Sequence, residues 1–139
     1  MLESGPGFGE AGRWSLFTAE PRAVFEVHGD AWTVSGLGAH ASGRGDVLEP
    51  LRALLDRFEL ANPSDGVEPG FPPFTGGLVG FIGYDFAPRL ERLPRRADPD
   101  SRIADLRFAL YDTVVTLDRT TGDVDLWAHD FLGEGEFAL

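Results

Sequence analysis

The sequence contains no cysteine and no lysine. Without cysteine there is neither a disulfide staple nor a thiolate metal site. Without lysine, all twelve basic residues are arginine, set against 23 Asp and Glu, and the formal net charge is −11. Such acidity argues against nucleic acid, where basic side chains displace counterions from phosphates. It argues equally against an anionic membrane surface. No apolar run approaches the roughly 20 residues of a membrane helix. The opening MLESGPGFGE has no basic start and no apolar core, so it does not read as a signal peptide. The expected partners therefore include no nucleic acid and no membrane, and the expected compartment is the cytoplasm. Only three histidines occur, His28, His40 and His129. They lack HExxH-type spacing, so they read as surface or hairpin-end residues rather than zinc ligands.

What is present suits one folded domain. The chain has 139 residues, of which 42% are hydrophobic and 12% aromatic, enough for a core. Eighteen glycines and ten prolines predict many turns. Residues 13–19 are apolar and aromatic enough for a strand. AVFEVH (23–28) and AWTVSG (31–36) flank Gly29-Asp30, which fits a type II′ hairpin. Residues 37–45, glycine-rich and polar, read as a loop. Asp46 followed by Glu49 reads as a helix start. Val47, Leu48, Leu51, Leu54, Leu55 and Phe58 then recur with helical spacing, which predicts a helix over 47–61. Residues 62–73 read as a loop, 86–93 as a short helix with Pro88 near its start, and 94–102 as a polar connector. The stretch 105–118 is rich in β-formers, and RTTGD turns it back into VDLWAH (124–129) as a second hairpin. No internal repeat and no second domain are visible.

PPFTGGLVGFIGYDF (72–86) sets Gly76, Gly77, Gly80 and Gly83 among bulky apolar residues. A phosphate-binding loop needs GxxxxGK[ST], and this chain has no lysine. A dinucleotide fingerprint needs GxGxxG opening a helix, whereas the spacing here is GGxxGxxG. Read as a strand, Leu78, Ile82 and Tyr84 share one face and Val79 and Phe81 the other. Both faces are apolar, which predicts a central strand of a packed sheet, with glycine making room for a neighbouring backbone. Asp118, Asp123 and Asp125 do not follow the calcium-loop pattern and read as a hairpin turn. Tyr84-Asp85 and Tyr111-Asp112 read as tyrosines on buried strands whose hydroxyls need partners. Arg92, Arg95 and Arg96 read as a solvated loop. No catalytic constellation is visible.

The segment PPFTGGLVGFIGYDFAPRLERLP resembles the PFxGGxxGxxGYDxxRxxExLP signature of component I of the chorismate-aminating enzymes, aminodeoxychorismate synthase and anthranilate synthase. LESGPGFGEAGRWSLFTAEP (2–21) is similar to that family's LxSxxxxxxxxRxSxxxAxP segment. DLRFALYDTVVTLDRTTGDVDLW (105–127) is similar to a third block. The three blocks run in family order and cover nearly the whole chain.

The resemblance is to the family's N-terminal region. It implies the N-terminal half of the anthranilate synthase component I-like fold: an α+β domain over 1–139. The expected form is an antiparallel sheet with hairpins at 23–36 and 105–129, a central strand at 76–84 and one main helix packed on it. The family's chorismate site, its Mg²⁺ ligands and its general acid lie in a C-terminal region that these residues do not contain. The chain is therefore expected to be a fragment with no cofactor of its own. The resemblance implies a C-terminal chorismate-binding domain and a glutamine amidotransferase subunit or domain as partners. It also implies a tryptophan pocket at Leu2, Glu3, Ser4, Arg13, Trp14 and Ser15. The expected role is structural or regulatory within an aminodeoxychorismate synthase. The anthranilate branch and a free-standing tryptophan-binding module are the alternatives.

Overall fold

The structure, a computed structural model, describes residues 1–3, 12–36, 39–58, 71–91 and 103–130. Nine strands and two short helices are assigned among them. These are β1 (Leu2–Glu3), β2 (Trp14–Phe17), β3 (Ala23–His28), β4 (Ala31–Gly36), β5 (Ala39–Arg44), α1 (Leu48–Arg57), β6 (Gly77–Ile82), α2 (Ala87–Leu90), β7 (Leu106–Tyr111), β8 (Thr113–Asp118) and β9 (Val124–Ala128). The α+β class, the antiparallel hairpins and the single main helix are as the sequence predicts.

The strands form two antiparallel sheets rather than one: β5-β4-β3-β7-β6 and β1-β2-β8-β9. The run 105–118, expected as one long strand, divides between them at Asp112. Local bonds fix that break. The Asp112 carbonyl accepts the His129 N–H at 2.9 Å, and Oδ1 accepts the Thr113 hydroxyl at 3.1 Å. Oδ2 meets Arg22 Nε at 3.2 Å. A strand bent in this way passes from one sheet to another.

The hairpin of β3 and β4 closes as predicted, with His28 opposite Ala31 and Gly29 at φ 56°, the positive φ that a type II′ turn puts first. Residues 39–44, expected as loop, instead pair with β4 from Ala31↔Arg44 to Gly36↔Ala39. HASGR has little β propensity of its own. The backbone ladder and the Trp32 side chain, lying over Gly43, hold it: a Cβ on Gly43 would stand 2.5 Å from the Trp32 ring. Here tertiary packing overrides a weak local preference.

Helix α1 covers one face of the five-stranded sheet. Val47 and Leu54 are buried against Phe25, Val27, Val34, Leu106 and Phe86, and Leu51 and Phe58 pack beside them. These four positions, two within α1 and one at each of its ends, are spaced i, i+4, i+7, i+11, a single stripe. Leu48 and Leu55 fall on its flank and remain exposed, so the apolar face is narrower than the sequence pattern. Asp46 caps the helix, its Oδ1 accepting the Leu48 N–H at 2.9 Å and the Glu49 N–H at 3.4 Å. The predicted residues 59–61 lie outside the described residues. Among the described residues no helix is long and apolar enough to cross a membrane.

The predicted central strand is found at an edge. Among the described residues β6 pairs only with β7, from Gly77↔Tyr111 to Ile82↔Leu106. Apolar side chains on both faces suggest burial but say nothing about which neighbours a strand has. Phe81 and Ile82 are 42% and 60% exposed. The expected reason for glycine does hold at Gly80. A Cβ there would collide with the Arg107 carbonyl oxygen and stand 2.7 Å from Phe108 Cα.

Candidate functional site

Four of the six residues assigned to a tryptophan pocket lie on two neighbouring strands, and Arg13 immediately precedes the second of them. Leu2 pairs with Leu16 and Glu3 with Ser15, so β1 lies directly against β2. Ser4 lies outside the described residues. On the other side of β2, Trp14 stands opposite Asp118 and Ser15 opposite Leu117. Ser15 is buried, while Trp14 is half-buried.

Arg13 is engaged within this sheet. Its Nε donates to Asp118 Oδ2 at 2.8 Å, and its Nη2 donates to the same oxygen. The guanidinium also lies over the Trp14 ring, 4.8 Å from the centroid. Asp118 in turn is buried and organises the β8–β9 turn, with Oδ1 accepting the Thr120 N–H at 2.9 Å. The Arg13 hydrogen bonds hold its carboxyl at about 2, below the ordinary 3.8, against a smaller opposing effect of burial. The bond from the Thr120 N–H lowers it further. The turn reading therefore holds for Asp118 and Asp123, while Asp125 lies on β9, and nothing in the local pattern points to the Arg13 partner, 105 residues away.

The same face of the sheet carries a second buried polar contact. The fully buried Thr116 hydroxyl accepts the Trp127 indole N–H at 3.0 Å, and Phe71 packs on the Trp127 ring at 5.2 Å between centroids. His129, expected at a hairpin end, is half-buried and its Nε2 lies 3.0 Å from the Thr75 carbonyl, tying β9 to the segment before β6. His28 and His40 are exposed. Tyr84 corrects an expectation: it is not on a buried strand. It opens the 3-10 turn Tyr84–Phe86 after β6 and is 94% exposed. The strand ends at Ile82 because Gly83 starts this turn, which feeds Pro88 into the first turn of α2. Arg92, Arg95 and Arg96 lie outside the described residues.

A separate groove of about 900 Å³ opens between the β4–β5 hairpin and α1. Trp32 forms its floor, stacked on Phe25 at 6.3 Å and 19°. Asp46, Glu49 and Asp56 line it together with Arg44 and Arg57. Arg44 is paired with Asp30 at 3.0 Å. The sequence pattern points only to its helix side, because residues 39–44 read as loop. Arg13, Trp14 and Ser15 are not among the described residues lining it.

Among the described residues no three His, Asp or Glu side chains converge in a way that would hold a metal ion. What the arrangement does offer is a polar clasp, Arg13–Asp118, beside a two-strand wall made by β1 and β2.

No protein-family model matches the sequence. The chain is 38% identical over 131 residues to the anthranilate synthase component 1 of Mycobacterium tuberculosis, a match covering 93% of this chain and 25% of that protein. It is 30% identical over 130 residues to the aminodeoxychorismate synthase component 1 of Klebsiella aerogenes, covering 94% of this chain and 28% of that one. The fold is similar to a crystal structure of anthranilate synthase component I from Streptococcus pneumoniae, with a TM-score of 0.66 and 20% identity. That likeness covers 98% of this chain and 27% of the solved one. The chain therefore spans about a quarter of the length of the curated relatives it matches.

Proposed function

Since this chain is a homologue, over more than nine-tenths of its length, of component I of the anthranilate and aminodeoxychorismate synthases, we propose that it is the N-terminal structural region of an aminodeoxychorismate synthase component I. It is not catalytic alone. The complete assembly joins chorismate with ammonia from glutamine to give 4-amino-4-deoxychorismate, on the route to 4-aminobenzoate and folate. A C-terminal region holds chorismate and Mg²⁺, a glutamine amidotransferase subunit or domain supplies the ammonia, and the setting is the cytoplasm.

The observation that carries this reading is the match itself, nearly complete for this chain and about a quarter of each relative. The geometry agrees with a non-catalytic part. Arg13 is committed to Asp118, and the groove beside Trp32 sets three carboxylates against two arginines, a lining that stays net negative and so does not favour a dianion such as chorismate. The proposed tryptophan pocket has Leu2, Glu3, Arg13, Trp14 and Ser15 as one wall, with Ser4 beside them in sequence. In that role Glu3 and Ser4 take the ammonium of the amino acid and apolar neighbours cover its indole.

The 38% identity to the mycobacterial protein favours a second reading, component I of an anthranilate synthase in tryptophan synthesis. The two readings separate genetically. Deleting the coding sequence in its source organism is expected to create a requirement for 4-aminobenzoate. A tryptophan requirement supports the second reading, and no requirement for either overturns both.

A further inference from the structure

We propose that the outer edge of β6 is where the rest of the synthase polypeptide adds a β-strand, so that β6 becomes an internal strand of a larger sheet. The inference rests on the reading above that this chain is one part of such a synthase.

The side chains of β6 do not suit an edge. Leu78 and Ile82 lie on the helix-covered face, Val79 and Phe81 on the other, and no charge or proline interrupts Gly77–Ile82. Edge strands are ordinarily guarded by charge, proline, a bulge or a covering element. Here Phe81 and Ile82 are instead exposed on opposite faces, one for each side of an incoming strand.

The backbone points the same way. Gly83 donates its N–H to the Asp105 carbonyl at 2.7 Å, in register with the β6–β7 ladder. In an antiparallel pair, successive residues turn their N–H and C=O alternately toward and away from the partner. Residues 77, 79 and 81 thus face β7, and Leu78, Gly80 and Ile82 present their N–H and C=O outward. That is the template for β-addition.

A third observation comes from α2, which leaves this strand through the 3-10 turn. The Nε of Arg89 is buried and, among the described residues, has no hydrogen-bond acceptor, while its guanidinium sits 5.9 Å from the Phe86 ring centroid. A buried donor normally has a partner. An acceptor oxygen carried by the incoming polypeptide, a carbonyl or a carboxylate, completes it.

The occupant is the remaining region of the family polypeptide rather than a second copy. About three-quarters of the mycobacterial relative lies outside the stretch this chain matches, so that much polypeptide is available to supply a strand. A second copy would bring another −11 of net charge against the first.

The test co-expresses the 139-residue chain with the part of the M. tuberculosis anthranilate synthase component 1 that lies outside the matched region. Amide exchange of Leu78, Gly80 and Ile82 is then read by NMR, free and in the complex. Exchange at all three is expected to slow by about 100-fold or more on assembly. Ile82→Pro removes an outward N–H without breaking the ladder to β7, and is expected to weaken association about tenfold. Ile82→Lys carries the same test should the proline variant fail to fold. Arg89→Met is expected to weaken association while leaving the melting of the free chain unchanged.

A complex in which the three amides exchange as fast as in the free chain overturns the inference alone. So does association unaffected by the Ile82 variants, or a homodimer that already protects these amides. Failure to co-purify overturns the inference together with the reading it rests on.

Discussion

Arg13 and Asp118 join strands β2 and β8 through a guanidinium–carboxylate contact whose Nε–Oδ2 distance is 2.8 Å, across 105 residues of sequence. Because the Asp118 carboxyl is held at about 2 in the folded chain against an ordinary 3.8, it binds its proton less readily folded than unfolded. The stabilisation is therefore complete above pH 3.8 and is lost as pH falls toward 2. Urea midpoints measured across this window should drop with acidification. In Asp118→Asn the chain should start lower at neutral pH and lose that part of the acid dependence.

Gly80→Ala is expected to destabilise the chain by about 1–3 kcal/mol, as overpacking of a close contact does. The added methyl meets backbone atoms of Arg107 and Phe108, which have no rotamer with which to move aside. A chemical denaturation curve decides this. An unchanged midpoint would show that β6 shifts away from β7 at little cost.

The two neighbouring leucines of α1 should respond very differently. Leu54 is 1% exposed and Leu55 is 50% exposed. Leu54→Ala is expected to cost about 2–5 kcal/mol through lost burial and a residual cavity. Leu55→Ala should cost within about 0.5 kcal/mol. Equal losses would mean that α1 is rotated relative to the sheet.

The β1–β2 wall is expected to bind tryptophan only when the rest of the synthase closes it. Arg13 is already held by Asp118, and two strands make one side of a pocket rather than an enclosure. Calorimetry on the isolated chain should therefore give no binding heat with tryptophan. Micromolar binding by the isolated chain would instead support a free-standing tryptophan-sensing module.

Local pattern carried much of the fold into view. The β3–β4 hairpin, the start of α1 and the turn at 118–123 all declare themselves in short stretches, because turn geometry and helix periodicity are local. What stayed hidden depends on distant contacts. Strand β5 exists because β4 and Trp32 hold a polar, small-residue segment in register. Asp112 breaks a continuous β-run because Arg22 and His129 reach it from elsewhere. β6 is apolar on both faces, as a central strand would be, yet it lies at an edge among the described residues. In the candidate site, Arg13, Trp14 and Ser15 drew attention through a family motif, whereas Asp118, Thr116 and Trp127 did not, since their partners lie on other strands.

The most direct test is chorismate turnover with an ammonium salt, measured for the purified chain and for the chain co-expressed with the unmatched region of the mycobacterial relative. A supporting part of a synthase gives no product by itself and product once joined. Turnover by the isolated chain, or an assembled pair that stays inactive, would contradict that account.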